Sequence, residues 1–251
     1  MPENLLFPIL FLTGLLAGLV DSVAGGGGLI TIPVLLGVGL PPQLALGTNK
    51  LQASFGSGSA MLMFIRSKTV KLSECGTGIT YTAIGAVIGS YSIQRLDPAF
   101  LRLTIPWLLL SIALYTLFSP HLGTKDVHPR LKPPLFYMVA GIALGFYDGF
   151  FGPGTGSFWV FALMLGLGFT LSKATGYTKV MNFTSNFISL LTFIAGGQVL
   201  WREGIIMGVG QFVGARIGAG LVITRGTAFI RPIFITMVFI LTIKLIWQNY
   251  S

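Results

Sequence analysis

Long apolar segments follow one another along almost the whole chain, and they constrain the fold more than any other feature. An apolar helix of about 20 residues spans the hydrocarbon core of a bilayer, and eight segments are close to that length. Two further segments are shorter, and each follows a glycine-rich break. The sequence therefore predicts an all-α, polytopic membrane protein. The segments are residues 5–23, 28–40, 43–65, 75–94, 100–119, 134–150, 155–169, 174–197, 204–223 and 230–248.

Charged residues are too scarce for a water-soluble surface. They make up 9% of the chain, whereas soluble domains carry roughly 25%. The formal net charge is +9, but most Lys and Arg residues occupy short gaps between apolar segments. That pattern is typical of cytoplasmic membrane loops and not of a nucleic-acid-binding face. We therefore expect the lipid bilayer, and no nucleic acid, as a partner.

Sequence motifs for catalytic or cofactor chemistry are absent. The chain has no P-loop, so we expect no ATP-driven engine within it. Its one cysteine, Cys75, can form neither an internal disulfide nor a cysteine metal cluster. His121 and His128 lie in the central loop, where two histidines make only a weak metal site, and no Ser-His-Asp or Cys-His grouping can be read. We expect no enzyme activity, no metal and no cofactor.

The second half of the chain repeats the first. An offset of 127 residues carries Asp21 onto Asp148, and an offset of 129 carries Lys50 onto Lys179, so one two-residue insertion reconciles the matches. We therefore assign residues 1–120 to a first repeat, 121–133 to a cytoplasmic linker and 134–251 to a second repeat. The other matches include Gly14, Gly18, Gly25 and Gly27 with Gly141, Gly145, Gly152 and Gly154, and Glu74, Gly85 and Gly89 with Glu203, Gly214 and Gly218.

Each repeat contains five segments, and an odd number starts the second repeat on the opposite side of the membrane. This predicts two inverted repeats. Nine basic residues occupy the loops on one side and four those on the other, so the positive-inside rule puts both termini on the periplasmic side. The short segments can cross fully or form re-entrant hairpins without changing this count. Parallel repeats fit the charges less well.

The two glycine-rich breaks are candidates for solute binding. In hydrocarbon, backbone leaves a helix only where it is buried in protein or lines a cavity. A short helix that starts after such a break directs free N–H groups and its positive dipole end at that cavity, an arrangement suited to an anion. Close helix packing is the alternative explanation. The break residues are Gly25, Gly26, Gly27 and Gly28 in the first repeat and Gly152, Gly154, Thr155 and Gly156 in the second.

Asp21 and Asp148 precede the breaks by four residues each. An ionisable group inside an apolar segment is costly and indicates a functional site. One interpretation is a coupling site for a proton or another cation. The other is structural, with each carboxylate accepting hydrogen bonds from backbone freed by the break or pairing with a lysine.

Lys50 and Lys179 lie near the start of the third segment of each repeat. Their ammonium groups are point charges suited to an anionic solute, although lysines near a helix end can also extend to the membrane interface. Polar side chains nearby line either a solute path or hydrogen bonds between helices. The candidate polar residues are Thr48 and Asn49 in the first repeat and Asn182 and Asn186 in the second.

These motifs resemble the TauE/SafE sulfite exporter family. In the first half the run Gly18-Leu-Val-Asp21-Ser-Val-Ala-Gly25 and the run Ala45-Leu-Gly-Thr-Asn49-Lys50 carry the resemblance. In the second half Gly145-Phe-Tyr-Asp148 and the residues from Lys179 to Asn186 are similar to YfcA-type members. The resemblance covers nearly the whole chain. It implies a permease of the bacterial inner membrane for sulfite, an organosulfonate or another organic anion.

Together the observations predict a secondary transporter for a small anion, driven by an ion gradient that could be a proton gradient. A passive channel for a similar solute needs the same polar path, so it stays an alternative. A membrane-embedded subunit without transport activity is the other. The sequence gives no substrate, direction or oligomeric state.

Overall fold

The computed structural model describes residues 3–118 and 131–225, and all structural statements below concern that part of the chain. Most of the 121–133 linker and the whole 230–248 segment lie outside it. The described chain is helical, with one short 3-10 helix at Leu72–Glu74. The α-helices are α1 (Glu3–Ala24), α2 (Gly28–Gly37), α3 (Pro42–Arg66), α4 (Gly76–Ile93), α5 (Pro98–Phe118), α6 (Pro133–Phe150), α7 (Thr155–Leu167), α8 (Leu171–Ala195) and α9 (Trp201–Arg225).

Two of these helices are short, as the glycine breaks predict. α2 has 10 residues and α7 has 13. α2 ends before the predicted boundary at residue 40, because Gly39 has a left-handed φ of +95° and Pro41 follows it. α7 ends at Leu167, and Gly168 follows with φ +68°. Left-handed glycine and a following proline are both common where a helix stops.

The helices pack in a symmetric series, in the spatial order α1, α9, α3, α8, α4, α6. α3 and α8 form the centre and run antiparallel, since Gly47 near the start of α3 abuts Phe193 near the end of α8. In the repeat alignment α1 corresponds to α6, α3 to α8 and α4 to α9. Each outer pair therefore combines one helix from each repeat.

Contacts in the two outer pairs are reciprocal. A Cβ atom added at Gly85 of α4 would lie 2.3 Å from the carbonyl oxygen of Ile142 in α6. At the matching Gly214 of α9 it would lie 1.9 Å from the oxygen of Leu15 in α1. Reciprocal contacts of this kind are what a two-fold relation produces. They relate the repeats to each other, and the inversion across the membrane stays a prediction.

In the helix bundle large apolar side chains face outwards and charged side chains lie at the centre, the reverse of what is usual in a soluble protein. Large apolar side chains such as Leu12, Leu103 and Val139 are 54–59% exposed on the outside, whereas Lys50 and Lys179 are 1% exposed within. A continuous apolar exterior over a polar centre suits a lipid environment. This confirms the prediction of a helical membrane protein.

Two of the described helices are long and apolar enough to cross a bilayer by length and composition alone, over Leu5–Ser22 in α1 and Trp201–Thr224 in α9. α3 and α8 are equally long, with 25 residues each. Their sequences are less apolar because they carry most of the buried polar side chains. The two helices of lower hydropathy, α3 and α8, are thus the ones at the centre of the molecule.

Candidate functional site

The two glycine-rich breaks meet at the centre of the bundle. Gly25 has a φ of +67° and Gly152 a φ of +102°, conformations that favour glycine. A Cβ atom at Gly25 would lie 2.3 Å from the Cα atom of Gly156, so the two backbones are in direct contact. The first turns of α2 and α7 consequently approach the same point.

Two ion pairs cross between the repeats at this point. Lys50 of α3 lies 2.7 Å from the carboxylate of Asp148 in α6, and Lys179 of α8 lies 3.4 Å from that of Asp21 in α1. Each lysine also donates to the main-chain oxygen of its aspartate, in the last turns of α1 and α6, where the helix dipole favours a cation. Every repeat therefore supplies the lysine for the other repeat's carboxylate.

The Lys50–Asp148 pair is fully enclosed. The two side chains are 1% and 4% exposed. Ser185 of α8 donates a hydrogen bond to the second carboxylate oxygen of Asp148, and Lys50 reaches the amide oxygen of Asn186 at 3.4 Å. Both carboxylate oxygens of Asp148 and the Lys50 ammonium thus have partners, which offsets the cost of burying two charges.

The Lys179–Asp21 pair is looser. The Asp21 side chain is 14% exposed and receives one weak main-chain hydrogen bond, from Gly27 at 3.3 Å. The position that matches Ser185 is Gly56, which has no hydroxyl group to offer. Asp21 therefore makes both contacts that the structural interpretation of the aspartates expects: one with a backbone N–H freed by the break and one with a lysine. A coupling role remains a prediction.

A cavity of about 20 Å³ lies between the two pairs. That is room for roughly one water molecule. Its walls bring together ten predicted residues: Asp21, Gly25, Gly28, Asn49, Asp148, Gly152, Thr155, Gly156, Asn182 and Asn186. Lys50 and Lys179 contact the carboxylates that line it.

Four other predicted residues lie outside these walls. Thr48 accepts a hydrogen bond from the main-chain N–H of Leu200 at 3.0 Å, and thus joins α3 to the turn before α9. A Cβ at Gly154 would contact Ile112 of α5. Gly26 and Gly27 belong to the break without lining the cavity. Their role in binding is a prediction that the geometry supports less directly.

Sequence reasoning missed Gln211 of α9, which is 1% exposed and lines the cavity. Its side-chain oxygen and that of Asn182 are buried, and neither has a hydrogen-bond partner in the described part of the chain. By contrast, the Asn49 oxygen accepts from Thr31 and Gln52 at 2.6 and 2.7 Å. A signal was available, because a glutamine interrupts an apolar segment at the position that matches Thr82.

A larger cavity of about 640 Å³ opens at the end of the bundle where α6 and α8 begin. Lys132, Lys173, Tyr137 and Tyr177 are among its lining residues, with Glu74 at its edge. Tyr177 donates to the Glu74 carboxylate and holds the pKa of Glu74 below its usual value, with smaller contributions from Lys173 and Lys71. Tyr177 and Asn182 are five residues apart on α8, so about 7.5 Å of helix separates this cavity from the central one.

Apolar side chains pack together near the opposite end of the bundle. Leu10, Leu35, Ala45 and Met207 are fully buried together between α1, α2, α3 and α9. Leu10 occupies the position that matches Tyr137 of the open end. Tyr137 is itself only 3% exposed, so it is the wide cavity that distinguishes the two ends.

Within the described residues no three His, Cys, Asp or Glu side chains are grouped closely enough to hold a metal ion. The charged groups at the centre are the two lysine–aspartate pairs. A buried ammonium can release its carboxylate only to another anion, and a buried carboxylate can release its ammonium only to another cation or a proton.

Comparison with known proteins gives a consistent result. The family model described as sulfite exporter TauE/SafE matches residues 10–245. A Haemophilus influenzae protein named "Probable membrane transporter protein" is 47% identical, over 97% of this chain and 96% of its own length. The "Probable membrane transporter protein YfcA" of Escherichia coli K12 is 45% identical over 100% and 93%. YunE of Bacillus subtilis, named in the same way, is 28% identical over 86% and 88%. No solved structure matches.

Proposed function

The chain belongs to the sulfite exporter TauE/SafE family of membrane proteins, and from that premise we propose that it is a secondary transporter for a small anion. The class of solute comprises sulfite, organosulfonates and other organic anions. The observation that carries the proposal is the pair of buried lysines, one from each repeat, held beside one small cavity by replaceable carboxylates.

A small anion binds here by exchange. The two lysines and two aspartates sum to zero charge, so the empty site needs no counter-ion. An entering sulfite or sulfonate group takes the place of the Asp21 carboxylate on Lys179, in the looser of the two pairs, and keeps the ammonium paired. Asn49, Asn182 and Asn186 supply amide groups around the same cavity for additional hydrogen bonds.

Transport requires the central cavity to open. At about 20 Å³ it has no room for a sulfite ion in the described conformation. We propose that it opens alternately towards the two ends of the bundle, as repeats related by two-fold symmetry allow. The wide cavity beside Lys173 is the access route at one end, and the apolar cluster around Leu10 is the closed route at the other.

We assign the open end to the cytoplasm. Lys132 and Lys173 belong to the side that carries more basic residues, which the positive-inside rule places in the cytoplasm. We further propose that the protein lies in the bacterial inner membrane, with inverted repeats and periplasmic termini. Cysteine substitution with impermeant thiol labelling would test it, once Cys75 has been replaced.

Counterflow in proteoliposomes tests the transport proposal. Vesicles loaded with unlabelled sulfite are expected to take up external radiolabelled sulfite transiently, because a carrier exchanges solute through one site. An uptake without counterflow would indicate a channel. Methanesulfonate and thiosulfate serve as further probes of the solute class.

Paired substitutions test the lysines without leaving a buried charge alone. We expect Asp21→Asn with Lys179→Gln, and Asp148→Asn with Lys50→Gln, to abolish counterflow while the variants insert and unfold cooperatively. Lys68→Gln, on the exposed turn after α3, is the matched control and should exchange normally. Wild-type exchange by both paired variants would show that the anion site is elsewhere.

A further inference from the structure

The central cavity has an oxygen-rich side. Three of the side chains that line the cavity contribute oxygen atoms: the carboxylate of Asp21 and the amides of Asn182 and Gln211. Asn182 and Gln211 are 4% and 1% exposed, and neither amide oxygen has a hydrogen-bond donor among the described residues. A buried acceptor without a donor is unfavourable, so a bound ion or molecule that contacts these oxygen atoms would stabilise the site.

Oxygen atoms of this kind suit a small cation. Carboxylate and amide oxygens are the usual protein ligands of hard cations, and an amide oxygen equally accepts a hydrogen bond from a protonated carboxyl group. The cavity volume of about 20 Å³ matches a single ion or water molecule and is too small for an anion of several atoms. Lys179 is the charged group that already faces Asp21, with Lys50 and Asp148 across the cavity.

We propose that Asp21, Asn182 and Gln211 form the site of the coupling cation, either a proton bound to Asp21 or a sodium ion. The site fills when the transported anion takes Lys179 away from Asp21. The inference rests on the proposed function, because the anion is what frees the carboxylate. One cation then enters with each singly charged anion, and the centre stays neutral throughout.

The other half of the centre lacks these properties. Asp148 is held more tightly, by Lys50 at 2.7 Å and by the Ser185 hydroxyl, whereas the Asp21 oxygens accept from Lys179 at 3.4 Å and from Gly27 at 3.3 Å. The position that matches Gln211 is Thr82, whose hydroxyl contacts the sulfur of Met181 at 3.6 Å. The coupling cation is therefore assigned to Asp21 and not to its equivalent.

Gradient-driven accumulation tests this site in proteoliposomes that contain the full-length protein. Methanesulfonate is the main probe because it keeps one negative charge across the useful pH range, and sulfite is the second. A tenfold gradient of protons or of sodium ions, imposed separately, should concentrate methanesulfonate about tenfold if one cation moves with each anion. A proton response and a sodium response both support the site and distinguish its two occupants. Indifference to both gradients overturns it.

Two variants make the assignment specific. Gln211→Met should raise the cation concentration for half-maximal methanesulfonate uptake several-fold, and Asp21→Asn should remove the tenfold accumulation of methanesulfonate. Ser185→Ala, the matched control beside Asp148, should leave the cation dependence unchanged. Accumulation by Asp21→Asn, or a Ser185→Ala shift as large as that of Gln211→Met, overturns the assignment.

Counterflow by the wild-type protein distinguishes failure of the proposed transport function from failure of the cation site. A wild-type protein that carries neither methanesulfonate nor sulfite in counterflow overturns the proposed function and this inference with it. A wild-type protein that exchanges either anion but ignores both gradients overturns the cation site alone.

Discussion

The two ion pairs at the centre occupy equivalent places in the two repeats, yet they are held very differently. Lys50 and Asp148 lie 2.7 Å apart and are sealed from solvent, with Ser185 completing the coordination of the carboxylate. Lys179 and Asp21 lie 3.4 Å apart, and the Asp21 side chain is 14% exposed beside the cavity. One pair has the features of an anchor and the other those of a site that can exchange partners.

The surrounding frame shows no such difference. Gly85 and Gly214 make matching backbone contacts in the two outer helix pairs, and so do Gly89 and Gly218. The glycine contacts of the frame thus match, whereas a few polar positions near the cavity do not. A symmetric frame can open towards either side with similar geometry, whereas an asymmetric centre allows the two carboxylates to differ in role.

The largest expected effect on stability comes from replacing the lysine of one ion pair or of the other. Lys50→Ala leaves the enclosed Asp148 charge unpaired, a change that typically costs about 3–5 kcal/mol in a buried site. Lys179→Ala should cost clearly less, since Asp21 can gain water from the cavity. Thermal unfolding in detergent measures both.

The control for this comparison is the double variant Lys50→Ala with Asp148→Ala. Removing both charges should restore much of the lost stability, because no unpaired buried charge remains at this position. The anchor interpretation is wrong if Lys179→Ala destabilises the protein as much as Lys50→Ala does.

Much of this architecture could be predicted from the sequence because the signals are local or periodic. Apolar runs give the helices, glycine runs give the breaks, and a nearly fixed offset pairs Asp21 with Asp148 and Lys50 with Lys179. The start of α7 at Thr155 agrees with the prediction. α2 is shorter than predicted, because the residues after Gly37 are apolar but turn out of the helix at Gly39.

The partners of the charged residues could not be predicted. Asp148 and Lys50 are 98 positions apart, and spacing along a chain reports only neighbours on the same helix. The crossing of the pairs depends on how α3 packs against α8, which the sequence pattern does not specify. Gln211 was missed for the same reason, since only the fold brings α9 to the cavity beside Asp21.

A smaller effect tests the symmetry of the frame. Gly85→Ala and Gly214→Ala each place a methyl group within 2.3 Å of a facing carbonyl oxygen, and overpacking of this kind costs typically about 1–3 kcal/mol. We expect the two variants to lose similar amounts of stability in thermal unfolding. Gly76→Ala is the control, because a Cβ there meets nothing within 4 Å. Very unequal losses would show that the frame is not symmetric.

The smallest effect distinguishes the open end of the bundle from the closed one. The hydrogen bond from Tyr177 lowers the pKa of Glu74 from its usual 4.5, and the nearby charges of Lys173 and Lys71 lower it further. A carboxyl group whose pKa is lowered by folding stabilises the fold at any pH above its unfolded-state pKa. That contribution disappears as the pH falls through the folded-state pKa. Tyr177→Phe should raise the pKa of Glu74 and flatten the acid side of the stability profile, measured as thermal unfolding from about pH 3 to 6. In a Glu74→Gln background the same substitution should leave that profile unchanged, and a persisting change would assign it to another group at the open end.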